Sequence, residues 1–174
     1  AYGSSSYEIA YLLEEKGVNY LGVAYADEGV QLRLEGIKVP IMVMNVNPDD
    51  FQDLIDYELE PSIYSLSLLK ALRNYVEHMQ LSLPLKLHIE LDTGMHRLGF
   101  SQKELKAILP LVQHQNLEVR AVFSHLAAAD EALHEDFSRQ QIQVFKDFAL
   151  DLEKALNKPL IKHMLNSAGI SRFS

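Results

Sequence analysis

Cysteine is absent from the 174 residues of this chain, which excludes disulfide bonds, thiolate metal sites and a cysteine nucleophile. Basic residues are scarce, since 16 Lys and Arg stand against 24 Asp and Glu for a net charge of −8. No nucleic-acid partner is expected, because phosphate binding needs a basic surface. The sequence also lacks an apolar run near the roughly 20 residues that span a bilayer and a secretory signal at its start. These absences predict a cytoplasmic domain with no membrane partner.

The residues that are present suit one globular domain over 1–174. Hydrophobic residues make up 48% of the chain, which is ordinary for a protein with a packed core, and the length is that of a single domain. The chain starts Ala-Tyr-Gly, without an initial methionine. We therefore expect it to be a piece of a longer protein.

Two hydrophobic periods alternate along the chain. Short apolar segments typical of strands fall at 20–25, 41–45, 61–65, 85–91, 119–126 and 160–166. Segments with helical spacing precede the first strand and separate each successive pair of strands. This alternation predicts right-handed βαβ units and a parallel α/β sheet. Both a doubly wound open sheet and a (β/α)8 barrel fit the pattern.

The segment 85–92 (LKLHIELD) favours the barrel. Its apolar residues alternate with Lys86, His88, Glu90 and Asp92, as expected of a strand with helices on one face and a lumen on the other. A TIM-type barrel has eight strands in about 250 residues, so the chain supplies about six of the eight. We expect an incomplete barrel whose two free edges cause poor solubility or oligomers.

Polar residues cluster at three predicted strand ends, 90–99, 124–130 and 163–167. In a barrel the site lies at the carboxyl ends of the strands, so these segments are expected to share one mouth. Arg97 is suited to hold a carboxylate or phenolate, and Asn166 and Ser167 are suited to hold a phosphate. Asp92 and Thr93 are equally suited to cap the following turn.

A metal-dependent hydrolase is an alternative on the same scaffold. His125, Asp130 and His163 are elements that bind zinc, although no closely spaced pair of ligands such as HxH supports them. Metal analysis after chelation would separate this reading from a metal-free site.

Three segments in this order resemble the signature segments of alanine racemase, a pyridoxal-phosphate enzyme with a barrel fold: DTGMHRLGF (92–100), SHLAAAD (124–130) and HMLNSAG (163–169). AYG at 1–3 and the segment 24–44 are similar to the family's remaining segments, so the resemblance covers essentially the whole chain. It implies interconversion of L-alanine and D-alanine for peptidoglycan synthesis, by an enzyme that is a homodimer when intact.

The resemblance also implies roles for individual residues. Arg97 matches an arginine that bonds the phenolic oxygen of the cofactor and helps to place the substrate carboxylate. His125 matches a histidine packed against the pyridine ring, and Tyr2 matches a tyrosine that contacts the cofactor phosphate. Asn166 and Ser167 match an Asn-Ser pair whose serine binds the phosphate.

Two further positions concern the cofactor and the arginine. Met44 falls where the family has an apolar residue near the cofactor. Glu90 stands where many members carry a carbamylated lysine whose negative charge orients the arginine, and we expect Glu90 to supply that charge without modification. The serine run at 4–6 departs from the commoner family pattern. It is similar to the racemase half of a fusion with a muramoyl-tripeptide–D-alanyl-D-alanine ligase.

Several parts of the family's machinery fall outside this sequence. The lysine that bonds the cofactor corresponds to a position three residues before Ala1, and the last strand and a β-domain with a second base follow the last residue. We therefore expect the isolated chain to be inactive. Two alternatives share the barrel: a racemase for another amino acid such as serine, and a non-catalytic pyridoxal-phosphate carrier or regulatory protein.

Overall fold

A six-stranded parallel sheet forms the centre of the molecule in the computed structural model, which describes residues 3–173. The strands follow one another in chain order across the sheet. They are β1 (Leu21–Val23), β2 (Ile41–Val43), β3 (Glu60–Ile63), β4 (Leu85–Glu90), β5 (Leu117–Phe123) and β6 (Ile161–His163). A doubly wound sheet reverses its strand order at a switch point, whereas this sheet does not. The fold is therefore an open, partial (β/α)8 barrel with six strands in the described residues, which confirms the predicted class.

Within residues 3–173, seven α-helices cover one face of the sheet or flank it. They are α1 (Ser6–Glu15), α2 (Ala26–Leu34), α3 (Phe51–Asp56), α4 (Leu66–Val76), α5 (Leu105–Val112), α6 (Glu135–Leu156) and α7 (Ser167–Phe173). The last predicted strand, 160–166, is shorter than expected, and a three-residue connection joins β6 to α7. No helix within residues 3–173 combines the length and apolar composition needed to cross a bilayer.

The two faces of β4 confirm the predicted alternation. Leu85, Leu87 and Ile89 belong to the hydrophobic core that the helices cover. His88 and Glu90 are buried on the opposite face, because successive side chains of a strand alternate. This face is the lumen of the partial barrel. Buried polar side chains therefore line the lumen.

Candidate active site

Glu90, Arg97 and His125 line one small crevice at the carboxyl ends of β4 and β5. Glu90 is the last residue of β4, Arg97 lies in the loop after it, and His125 follows β5 by two residues. Parallel strands end at the same edge of a sheet, so residues 28 to 35 positions apart in sequence meet there. The structure thus brings together three of the predicted site residues.

The loop after β4 owes its shape to Asp92 and Gly99. The Oδ1 atom of Asp92 accepts hydrogen bonds from the backbone N–H groups of Gly94 and His96, both at 3.0 Å, and Oδ2 lies 2.9 Å from the His96 Nδ1. Partial burial opposes ionisation of Asp92, but these hydrogen bonds outweigh it and lower the pKa of the carboxyl. Asp92 therefore holds the turn that carries Arg97, which is the capping role weighed from the sequence.

The Glu90 side chain is buried, with only 8% of the residue exposed to solvent. Burial raises its pKa, the Asp92 carboxylate adds to this effect, and the Arg97 guanidinium and the Ser62 hydroxyl oppose it. Arg97 acts on Glu90 through its charge rather than through a direct hydrogen bond. The orienting role of Glu90 stays a prediction.

Asn166 and Ser167 stand where β6 gives way to α7. The Oδ1 atom of Asn166 accepts a hydrogen bond from the Gly169 N–H at 2.8 Å, and its Nδ2 donates to the Leu126 carbonyl at 3.3 Å. Asn166 therefore caps α7 and ties it to the residue after His125. Ser167 is exposed at the start of the helix. Both residues lie at the same edge of the sheet as the crevice.

Met44, another predicted site residue, does not line the crevice. Met44 follows β2 and is 40% exposed; its N–H donates to the Val23 carbonyl, on the β1 side of the sheet. Its proposed contact with a cofactor stays a prediction. Tyr2 lies outside the residues that the structure describes.

A polar cluster occupies the lumen below the crevice. The Tyr20 hydroxyl donates to the Glu60 Oε2 at 3.1 Å, and the His88 Nε2 lies 2.9 Å from the same oxygen. The ring of His163 stacks on Phe123 at 5.0 Å between centroids and meets His88 edge-on. Burial and the neighbouring His88 lower the pKa of His163 to about 4, although one side of His163 remains open to solvent at the sheet edge.

The sequence analysis missed Glu60 and Gln141 as residues that support the site. Gln141 is 0% exposed, although glutamine is a residue type that is mostly exposed. A signal was present, because Gln141 precedes the buried Phe145 by one helical turn and so shares its face. Glu60 gave no local signal, since its partner His88 is 28 residues away.

Residues 3–173 contain no set of metal ligands that would support the metal-dependent hydrolase. No three His, Asp or Glu side chains in this part of the chain are grouped as a metal site, and this includes His125, Asp130 and His163.

Comparison with known proteins gives a consistent picture. Residues 1–174 match the family described as alanine racemase, N-terminal domain. The alanine racemase of Clostridium kluyveri is 38% identical over 173 residues, which cover 98% of this chain and 44% of that protein.

Solved structures agree with this match. The alanine racemase of Clostridium difficile 630 in complex with cycloserine superposes with a TM-score of 0.88 at 31% identity, over 97% of this chain and 46% of that one. The Bacillus anthracis alanine racemase with bound L-Ala-P gives a TM-score of 0.84 at 30% identity, over 99% and 45%. The chain spans less than half the length of each of these relatives.

Proposed function

The chain belongs to the alanine racemase N-terminal domain family, and from this premise we propose that the full-length protein interconverts L-alanine and D-alanine with pyridoxal phosphate as its cofactor. The crevice that joins Glu90, Arg97 and His125 at the strand ends supports this function most directly. The L-Ala-P bound to the Bacillus anthracis relative supports alanine as the substrate.

The described residues fit such a cofactor in their donor chemistry. A hydroxyl at Ser167 and the first N–H groups of α7 suit a phosphate. The helix packs closely on the residue after His125, because a Cβ added at Gly169 would lie 3.0 Å from the Leu126 Cδ1. The Arg97 guanidinium suits a phenolate oxygen, and the exposed imidazole of His125 suits the face of a flat ring.

Each residue then has a distinct task in the mechanism. Pyridoxal phosphate, when bound, draws electrons from the α-carbon of the amino acid and so acidifies its α-proton. Arg97 binds and orients the substrate carboxylate, Asn166 holds α7 in place, and Ser167 binds the phosphate. The resemblance assigns the removal and return of the α-proton to two bases on opposite faces; the residues named here bind and orient.

The first test is conversion of L-alanine to D-alanine by the full-length gene product supplied with pyridoxal phosphate. We expect turnover, and we expect Arg97→Met to lower kcat/KM by about 100-fold because a charged donor to the reacting groups is lost. Arg73→Met, on α4 and paired with Glu77 just after that helix, is the control. Turnover of serine alone would redirect the function to another substrate. Cofactor binding without turnover would indicate the carrier.

The family resemblance supports further features of the full-length protein. We propose that it is a homodimer, that it works in the cytoplasm and that its D-alanine enters peptidoglycan. A ligase domain fused at the N-terminal side is part of the same proposal. Sequencing of the gene and sedimentation analysis of its product test the fusion and the dimer.

A further inference from the structure

Gln141 joins two loops of the candidate site from below. It lies on α6, and its side-chain oxygen accepts a hydrogen bond from the Ala127 N–H at 3.0 Å. Its side-chain nitrogen donates to the Thr93 Oγ1 and to the His125 carbonyl, both at 3.3 Å. Thr93 belongs to the loop that carries Arg97. One buried amide therefore links that loop to the backbone of His125.

The partners of Gln141 leave its amide only one orientation. A backbone N–H only donates and a carbonyl only accepts, so the oxygen must face Ala127 and the nitrogen must face His125. The hydrogen bonds continue in one direction beyond it. Ser124 donates its hydroxyl to the Leu91 carbonyl at 2.7 Å. Thr93 must therefore donate to Ser124, 2.9 Å away, and accept from Gln141.

The same helix also packs against the loop after β4. Gly94 lies so close to α6 that an added Cβ would meet the Phe137 ring at 3.3 Å and the Gln141 Cγ at 3.7 Å. Phe137 and Gln141 are one helical turn apart, so they present one surface. Packing against this surface limits the positions that the loop can take, and the hydrogen bonds of Gln141 fix the orientation of the loop.

We propose that Gln141 is a positioning residue that sets the placement of Arg97 relative to His125. This inference rests on the proposed function for its catalytic consequence, whereas the link between the loops stands on the contacts alone. Gln141 touches neither substrate nor cofactor in this role. It acts through Thr93 and through the backbone of His125 and Ala127.

Two substitutions in the full-length holoenzyme test the role. Gln141→Met fills a similar volume without any of the three hydrogen bonds, and Gln141→Glu sets a carboxylate oxygen against the His125 carbonyl. We expect kcat/KM for alanine to fall by about 100-fold in Gln141→Glu, because small displacements of catalytic groups have effects of that size. Gln143→Met and Gln143→Glu are matched controls, since Gln143 is exposed on the same helix and its side chain donates a hydrogen bond to Asp147.

Amide hydrogen exchange separates positioning from a general loss of stability. We expect faster exchange in 92–97 and 124–128 of the Gln141 variants, with unchanged exchange in β3, β4 and α4. Thr93→Val and Gln141→Met both remove the hydrogen bond between these two residues. Their effects on kcat/KM should therefore be non-additive.

Three results would overturn the role of Gln141: unchanged exchange in the two loops, exchange that rises equally throughout the sheet, or kcat/KM values equal to those of the Gln143 controls. If the full-length protein does not racemise alanine, the proposed function is wrong, but the link between the loops is still open to test. The exchange pattern in 92–97 and 124–128 then shows whether Gln141 holds the two loops together.

Discussion

At the scale of single residues, Glu90 sits in a position that favours its uncharged form. Burial raises the pKa of its carboxyl, and the charge of Arg97 reduces this effect without removing it. A buried carboxylate is destabilising unless it is paired, so a structural purpose alone would be served better by an amide. A glutamate at this position is explained if its negative charge orients Arg97.

Glu90→Gln tests this conflict between stability and function. A raised pKa means that the protonated form of Glu90 stabilises the folded state. This contribution is complete below the pKa that Glu90 has in the unfolded chain, and it is lost as the pH rises through the pKa of Glu90 in the folded protein. We therefore expect the variant to melt at a higher temperature than the wild type at pH 7. The difference should vanish below about pH 4.

The same variant should bind pyridoxal phosphate more weakly and turn over alanine more slowly in the full-length protein. Glu131→Gln, an exposed change in a neighbouring loop, is the control. Cofactor affinity and turnover equal to the wild type would show that the charge of Glu90 does not orient Arg97.

His163 gives the opposite dependence on pH. Its pKa is lowered from 6.5 to about 4, so the neutral ring stabilises the fold above pH 6.5 and this contribution is lost as the pH falls through about 4. His163→Phe keeps the stacking on Phe123 but does not titrate. We expect a shallower loss of melting temperature between pH 6.5 and pH 4 than in the wild type. An unchanged slope in His163→Phe would contradict the prediction.

At the scale of elements, the turn after β4 shows how a local backbone feature places a functional side chain. Gly99 has a φ of +104° and precedes Phe100, whose carbonyl accepts a hydrogen bond from the Asp92 N–H at 2.9 Å. A Cβ added at Gly99 would lie 2.6 Å from the Asp92 N and the Leu91 C atoms. These are backbone atoms and cannot move aside cheaply. The turn therefore requires glycine, and Arg97 is two residues before it.

Gly99→Ala is expected to destabilise the protein by about 2–4 kcal/mol, because it adds both a strained φ and a backbone contact. Urea denaturation measures the effect. Gly22→Ala is the matched control, since nothing lies within 4 Å of its added Cβ, and it should change stability by less than about 0.5 kcal/mol. Equal effects of the two substitutions would contradict the explanation.

At the scale of the whole molecule, the sheet is open. β1 and β6 each have one neighbour among the described strands, and all three residues of β6 are exposed. Several large apolar side chains of α1 are exposed as well: Tyr7, Ile9, Tyr11, Leu12 and Leu13. Free strand edges beside apolar surface favour association.

The isolated 174-residue chain is therefore expected to self-associate with rising concentration. Sedimentation velocity over a range of concentrations measures this directly, with the full-length protein as the comparison, which should settle to one defined species. A chain that stays monomeric throughout would show that the open edges are harmless.

The sequence predicted the elements and the order of the site segments because those signals are local. Alternation in 85–92 depends only on neighbouring residues. The same holds for the capping box of Ser101 and Glu104, in which the Glu104 carboxylate accepts from the Ser101 N–H at 2.9 Å. The same reasoning located Glu90, Arg97 and His125 at strand ends. The family resemblance added their expected roles.

Tertiary structure decided what depends on distant partners. Strand order separates a barrel from a doubly wound sheet, and no local pattern encodes it. The pairing of Glu60 with His88 spans 28 residues, and Gln141 reaches Thr93 across 48. A polar residue on a helix does not reveal which loop it will meet. The periodicity of the sequence thus determined the helices and strands. Tertiary packing determined which polar groups lie together in the lumen and the crevice, because each buried polar group needs a hydrogen-bond partner.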